Sequence, residues 1–171
     1  MKKIIVLVCV VLSGVFSNRA LAQYKQGDKL LNLGIGLNSY YSSGLPLSVS
    51  YEYGFTPEIS AGGIVDYVSS DYYNYRYTSF FFGGRGSYHF NKLLNINDRD
   101  WDVYGGASLG FRTFSWSSGF GNNTPGGTYA SGLFLGIHAG VRYYFSPKVG
   151  AFGELGALGS SNIRLGVTFK L

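Results

Sequence analysis

The chain is short of charge. Asp, Glu, Lys and Arg make up 13% of its 171 residues, against roughly 25% in an ordinary soluble domain. So few charges cannot cover the water-exposed surface of a globular protein. Proline is also scarce, with four residues, while 18% of the residues are aromatic. This argues against disorder, because so many rings would collapse together rather than stay solvated.

The N-terminus has the pattern of a cleaved secretory signal. A pair of lysines precedes an apolar run over 4–12, and the Ala-Leu-Ala sequence at 20–22 matches a small-x-small cleavage site. A transmembrane helix needs about 20 apolar residues, whereas polar residues interrupt this run from Ser13 onward. We therefore expect a signal peptide over residues 1–22 and one domain over residues 23–171.

Cleavage would remove the single cysteine, Cys9, and three of the 14 basic residues. The remaining domain has 11 basic against 9 acidic side chains and no cysteine to form a disulfide. We therefore expect no nucleic-acid partner. The sequence also has no motif for a metal or a cofactor, so we expect neither.

Apolar residues recur at every second position, most clearly at the C-terminus. Ile163, Leu165, Val167, Phe169 and Leu171 alternate with polar residues and glycine. Because strand side chains point alternately to opposite faces, this segment has one apolar face and one polar face.

The same alternation marks eight predicted strands. Most of them reach the roughly ten residues that a tilted strand needs to cross a membrane. Strands can cross lipid only if the sheet closes on itself, since an open edge would leave backbone groups unpaired. The sequence therefore predicts an all-β fold, an eight-stranded antiparallel up-and-down transmembrane β-barrel. The predicted strands are about 28–38, 44–55, 57–68, 76–90, 101–116, 129–145, 148–158 and 162–171.

A soluble eight-stranded cup is the alternative, with its apolar face inside and its charges in water. The polar face is mostly glycine and serine with isolated charges, which suits a narrow interior better than a solvated surface. Arg85, Arg112, Arg142 and Arg164 all fall on this face. On the lipid side each would cost about 2–4 kcal/mol near the midplane. The membrane barrel is therefore favoured.

An even number of strands places both termini on one side, and export makes that side periplasmic. The outward loops would then be 39–43, 69–75, 117–127 and 159–161. The connection at 91–100 is long for a periplasmic turn. Aromatic residues typical of a membrane interface cluster at one set of strand ends; they are Tyr51, Tyr53, Phe55, Phe90, Trp101, Tyr143, Phe145 and Phe169.

The signal peptide, the strand count and the terminal segment 165–171 resemble the OmpA/OmpX-type small outer-membrane barrels, and more generally the outer membrane protein beta-barrel domain and porin-like families. In these proteins an aromatic residue usually ends the chain, whereas here Phe169 is third from the end and Leu171 is last. The resemblance implies a monomer in outer-membrane lipid, inserted by the outer-membrane assembly machinery through Phe169 and Leu171. It implies no reaction.

Eight charged or ionisable residues share the inward parity. If the turn at 146–147 closes a hairpin, Glu154 lies opposite His138 or Gly140, with Arg142 nearby and Arg164 diagonally close. We expect an ion-pair cluster centred on Glu154, which acts as a plug or as a gate. The predicted interior residues are Glu52, Asp66, Arg85, Arg112, His138, Arg142, Glu154 and Arg164.

No catalytic residue is predicted. His89 and His138 both point inward, and neither has a serine and a carboxylate placed for an outward-facing triad. Aromatic residues in the outward loops fit either a lipid-headgroup belt or an adhesive surface; they are Tyr40, Tyr41, Tyr72, Tyr73, Tyr75, Trp116 and Phe120. We expect a role in envelope structure or surface interaction. A porin-like conduit for small solutes or hydrophobic ligands, and a lipid-acting enzyme, are the alternatives.

Overall fold

The computed structural model describes residues 23–40, 44–72, 75–116 and 130–171. Each strand pairs antiparallel with the next, and β1 pairs with β8 to close the sheet. The predicted closed up-and-down barrel is thereby confirmed. Its strands are β1 (Lys29–Ser39), β2 (Leu47–Gly54), β3 (Ile59–Tyr72), β4 (Tyr75–His89), β5 (Trp101–Trp116), β6 (Gly132–Tyr144), β7 (Val149–Ala157) and β8 (Ser161–Lys170).

The polar and apolar residues that alternate in the sequence form the inner and outer faces of this barrel, respectively. In β2, Ser50 and Glu52 are buried in the lumen, whereas Val49 and Tyr51 are exposed on the outer face. The reason is the period of two along a strand, which sends neighbouring side chains to opposite faces of the sheet.

The outer face is apolar, and the four arginines predicted to face inward, Arg85, Arg112, Arg142 and Arg164, lie on the lumen side. Leu133 and Leu135 on β6 are 76% and 72% exposed, while Arg142 on the same strand is 0% exposed. A soluble cup would have the opposite arrangement. That alternative is therefore wrong.

The hairpin between β3 and β4 is longer than the sequence predicted. Tyr72 and Tyr75, which we expected in an outward loop, are strand residues paired with each other. Ser69 pairs with Thr78 in the same extension. Threonine and tyrosine are frequent in β-strands, so the polar composition of this segment does not end the ladder.

Both ends of the described chain lie at one end of the barrel, which we call the terminus end; the opposite end is the far end. At the terminus end, the turns at 55–58 and 145–148 are short. The connection at 90–100 instead folds into a turn of its own, in which the Leu94 amide donates to the Phe90 carbonyl at 2.8 Å. Asn91 fixes this turn by accepting from the Val103 amide at 2.8 Å. Among the described residues, no helix has the length and hydropathy to span a membrane.

Candidate functional site

Acidic and basic side chains alternate along the lumen from its middle to the terminus end. Arg164 lies 2.7 Å from Asp66 Oδ2 through Nη2, and donates to Glu154 Oε2 at 3.1 Å through Nη1. Glu154 also accepts two hydrogen bonds from Arg85, one of them 3.2 Å from Nη1 to Oε2. All four side chains are almost completely buried.

The series continues toward the terminus end. Arg85 Nε lies 3.2 Å from Glu52 Oε1, an ion-pair contact without hydrogen-bond alignment. Arg142 donates to Glu52 Oε1 at 3.0 Å and to Asp102 Oδ2 at 2.9 Å. His89 Nδ1 lies 2.7 Å from Asp102 Oδ1. We call these residues the ionic chain: Asp66, Arg164, Glu154, Arg85, Glu52, Arg142, Asp102 and His89.

Neutral groups support the charges of the ionic chain. The Tyr104 hydroxyl donates to Glu154 Oε1 at 2.9 Å, and the Tyr104 ring lies 3.7 Å from the Arg142 guanidinium carbon. A Cβ at Gly140 would come within 2.7 Å of this ring, so glycine provides the space. Buried ions are stable only when they are paired and hydrogen-bonded. Each of these ions has an oppositely charged partner and at least one hydrogen bond, while the Nε atoms of the three arginines donate none and Asp66 Oδ1 accepts none.

The structure places all eight predicted interior residues on the lumen side, but it does not bring all of them together. Arg112 is half-buried toward the far end and donates to the Ala130 carbonyl at 3.0 Å. His138 lies 3.1 Å from the Ser87 hydroxyl, beside the ionic chain. The other six belong to the chain itself.

The predicted pairing around Glu154 was partly different. Glu154 lies opposite Gly140 and Arg164 in the sheet. Arg142, expected near Glu154, instead binds Glu52 and Asp102. The reason is that Arg142 stands closer to the terminus end and its side chain crosses the lumen to β2.

Two members of the ionic chain were missing from the predicted set. Asp102 shares the parity of Arg112 along β5, and His89 shares the parity of Arg85 along β4. Parity alone could therefore have identified both. Their partnership could not be read from neighbouring positions, because His89 and Asp102 are separated by the long connection.

His89 also contacts a serine. Its Nε2 lies 3.0 Å from the Ser60 hydroxyl, while its Nδ1 faces Asp102, so the three residues have the connectivity of a catalytic triad. The group faces inward, however, and Ser60 is 0% exposed. The Ser60 hydroxyl also donates to Glu52 at 2.9 Å. This geometry serves the buried network rather than attack on a substrate.

The lumen toward the far end is packed with rings instead of ions. Phe81 packs edge-on against Phe134, with ring centroids 5.7 Å apart. Tyr77 packs against Trp116 at 5.6 Å. Val68 completes the buried cluster. Edge-on aromatic pairs stabilise a core beyond the area they bury.

The predicted loop aromatics have different locations. Trp116 ends β5 and packs against the aromatic cluster, so its assignment to an outward loop was wrong; the alternation of β5 directs it into the lumen. Tyr40 follows β1 and is 40% exposed. Tyr41, Tyr73 and Phe120 lie outside the described residues.

The N-terminal segment (residues 23–28) covers the lumen at the terminus end. The Tyr24 ring stacks on His89 with centroids 3.4 Å apart, and its hydroxyl contacts the Ile59 carbonyl at 2.7 Å. Lys170 Nζ binds Asp28 and the Gln23 carbonyl, both at 2.8 Å. Burial, together with nearby carboxylates, raises the pKa of the Tyr24 phenol far above its ordinary value.

The sequence matches no protein-family model and no curated protein. The fold matches solved structures. A de novo designed transmembrane β-barrel aligns with a TM-score of 0.56 and 16% identity, covering 87% of this chain and 99% of that one. The N-terminal β-barrel domain of OprF from Pseudomonas aeruginosa aligns with a TM-score of 0.54 and 16% identity, covering 86% of this chain and 100% of that one.

The outer membrane protein OprG from Pseudomonas aeruginosa aligns with a TM-score of 0.54 and 10% identity, covering 89% of this chain and 99% of that one. At such identities the likeness concerns the fold. The predicted OmpA/OmpX-type barrel architecture is confirmed at that level. No group of side chains within the described residues has the composition of a metal site.

Proposed function

We propose that this chain is an integral outer-membrane protein whose lumen is closed by the ionic chain, with a role in envelope structure or surface interaction rather than transport. The observation that carries this proposal is the contact of Arg142 on β6 with Glu52 on β2, across the lumen. An eight-stranded barrel is only wide enough inside for side chains. Paired side chains that meet across it leave no continuous path for solute.

Both termini face the periplasm in this proposal. The predicted signal peptide supports export, and the short turns at 55–58 and 145–148 are typical of the periplasmic side of such barrels. Exposed aromatic residues at the same end, such as Trp101 and Tyr143, suit a lipid interface.

Planar-bilayer recording tests the closed lumen. We expect no current from the wild-type barrel, and none from Glu154→Ala, because removal of one carboxylate leaves Arg142, Glu52 and Asp102 in place. Current from the wild type would overturn the proposal. Current from Glu154→Ala alone would identify a gate. Glu58→Ala, which alters a residue outside the lumen, is the matched control.

Membrane fractionation followed by gel electrophoresis tests the location. We expect the protein in the outer-membrane fraction, with an unboiled form that migrates differently from the boiled form because a closed barrel resists detergent. Recovery in the soluble periplasmic fraction would contradict the proposal.

Insertion is proposed to depend on the C-terminal strand, in which Phe169 pairs with Leu31 of β1 and Leu171 is 66% exposed. Phe169→Ala should lower the fraction inserted in cells without changing refolding in detergent. Equal insertion of the variant and the wild type would remove the assembly-signal assignment.

Light scattering of the detergent-solubilised protein should give the mass of one copy plus its micelle.

The surface role is proposed to lie in the far-end loops and in exposed aromatics such as Tyr40. Cells that display a variant with the 39–43 segment replaced by Gly and Ser should adhere less than cells that display the wild type. Unchanged adhesion would favour the lipid-belt interpretation of these rings.

A hydrophobic-ligand conduit is the second candidate, and one observation favours it. A cavity of about 310 Å³ lies near the far end, lined by outward-facing Leu133 and Leu135 and by inward-facing Phe134. β6 begins at Gly132 but pairs with β7 only from Ile137, which lies opposite Ala157. The first residues of β6 therefore have no β7 neighbour, and this leaves the space for the cavity. Saturable binding of a fluorescent fatty acid, abolished by Phe134→Trp, would favour this function over the closed structural barrel.

A further inference from the structure

A second cavity, of about 300 Å³, lies at the terminus end outside the ionic chain. Three segments form its walls: the N-terminal segment, the β2–β3 turn and the connection at 90–100. His89 lies on its inner side.

The unusual length of the connection builds this cavity. The other two turns at this end close their hairpins with four residues each, at 55–58 and 145–148. The connection at 90–100 is much longer, and it is fixed in place rather than loose. Gln23 Nε2 donates to the Ile96 carbonyl at 3.3 Å, and Lys92 Nζ lies 3.1 Å from Glu58 Oε1. Ordered loops longer than their hairpin requires commonly carry function.

The lining excludes several classes of ligand. Its acid and its base, Glu58 and Lys92, pair with each other and balance in charge, so the lining has no excess charge that would select an ion of either sign. Only Pro57 and Ile96 offer purely apolar side chains, which disfavours a lipid tail. An extended peptide would need a free strand edge, and the described barrel has none.

Side-chain amides dominate what remains. Asn91 is already engaged by Val103, Trp101 and Asp102, and the Gln23 NH₂ group donates to Ile96. Asn95 and Asn97 are exposed at the mouth, and each carries a carbonyl acceptor and an NH₂ donor. Paired donors and acceptors in a neutral cavity match vicinal hydroxyls and acetamido groups. We propose that this cavity binds an uncharged saccharide.

The proposal goes beyond the closed lumen and does not depend on it, because the proposed contacts, Asn95 and Asn97, lie outside the ionic chain and the cavity touches that chain only at His89. If the terminus end faces the periplasm, the saccharide within reach is the cell-wall glycan. The binding test itself requires no assumption about orientation.

Binding is tested by NMR of the full barrel in lipid nanodiscs, following the side-chain amide resonances of asparagine and glutamine. The probe is N,N′-diacetylchitobiose, and maltose is the comparison that separates acetamido recognition from recognition of hydroxyls alone. We expect saturable shifts of the Asn95 and Asn97 signals with the first sugar. The combined variant Asn95→Gly and Asn97→Ala lacks both of these signals and is followed through the Gln23 side-chain amide; it should bind about tenfold more weakly.

Asn38→Gly is the matched control, since Asn38 and Asn95 both have φ of 52° and Asn38 lies at the far end of the barrel. Glycine accepts this left-handed conformation, so both variants should fold, as heat-modifiable migration would show. No saturable shift with either sugar would overturn the saccharide proposal, as would equal loss in the control. A conducting barrel that still binds sugar would contradict the closed lumen only.

Discussion

The lumen differs along its length. Toward the terminus end, ions meet in fixed pairs, and Arg142 and Glu52 join opposite walls at 3.0 Å. Toward the far end, rings such as Phe81 and Phe134 pack without directional bonds. Ionic contacts depend on atom positions to within a few tenths of an ångström, whereas apolar packing tolerates a change of shape at similar volume. The ionic region therefore sets the cross-section of the barrel, and the aromatic region fills it.

The largest expected effect comes from removing Glu52, the acid that side chains of β1, β3, β4 and β6 contact. Glu52→Ala leaves Arg142 and Arg85 with one carboxylate fewer each, and should lower the free energy of unfolding by about 4 kcal/mol. Urea unfolding in lipid vesicles measures it. Glu52→Gln, which keeps the shape, should lose less. A loss below about 1 kcal/mol in Glu52→Ala would mean that the ionic pairs do not hold the walls.

The aromatic region should respond differently. Phe81→Ala should cost about 3 kcal/mol, because it leaves a cavity beside Phe134. Phe81→Leu should restore most of the loss, since apolar packing tolerates it. Arg142→Lys should not restore the ionic contact, because an ammonium group cannot reproduce the fork between Glu52 and Asp102. The same unfolding experiment compares Phe81→Leu with Arg142→Lys. If both conservative variants kept the same share of the wild-type unfolding free energy, the two regions would not differ in their tolerance of substitution.

The N-terminal segment should contribute less to the free energy of unfolding. Tyr24→Phe keeps the stack on His89 but loses the hydroxyl contact with the Ile59 carbonyl. We expect a loss of about 1 kcal/mol, together with faster amide hydrogen exchange around the β2–β3 turn. Unchanged exchange there would show that the segment does not brace the ionic region.

The smallest effect is expected outside the lumen. Lys92 is 84% exposed in its contact with Glu58. Lys92→Ala should therefore change the unfolding free energy by less than about 0.5 kcal/mol, and added salt should remove even that. A loss as large as that of Glu52→Ala would show that burial does not separate strong from weak pairs in this barrel.

The sequence was sufficient for the fold and for the side of the wall on which the eight predicted interior residues lie, because the period of two is a local property. Arg85, Arg142 and Arg164 were placed inward on that basis. Contacts within one hairpin, such as Glu154 with Arg164, could also be predicted from the sequence. Contacts between distant strands were not, since Arg142 meets Glu52 only through the closure and curvature of the whole sheet.

The covering of the terminus end could not be predicted either. Tyr24 precedes the first strand and has no periodic pattern around it, so nothing local indicates its stack on His89. The connection at 90–100 was recognised as too long, but its folding under the barrel depends on Asn91 reaching back to β5. Both features arise from contacts between segments far apart in sequence.

The contact between opposite walls bears on how the barrel is made. In a flat sheet, β2 and β6 would stand roughly 19 Å apart, beyond the reach of an arginine. Arg142 therefore meets Glu52 only after the first and last strands have joined. Until then Arg142 has Asp102 on the neighbouring β5 as a partner, but the contact with Glu52 is missing. An intermediate that has not closed lacks this ionic contact, so the pairing of β1 with β8 and the formation of the interior ion pairs should occur in one cooperative step.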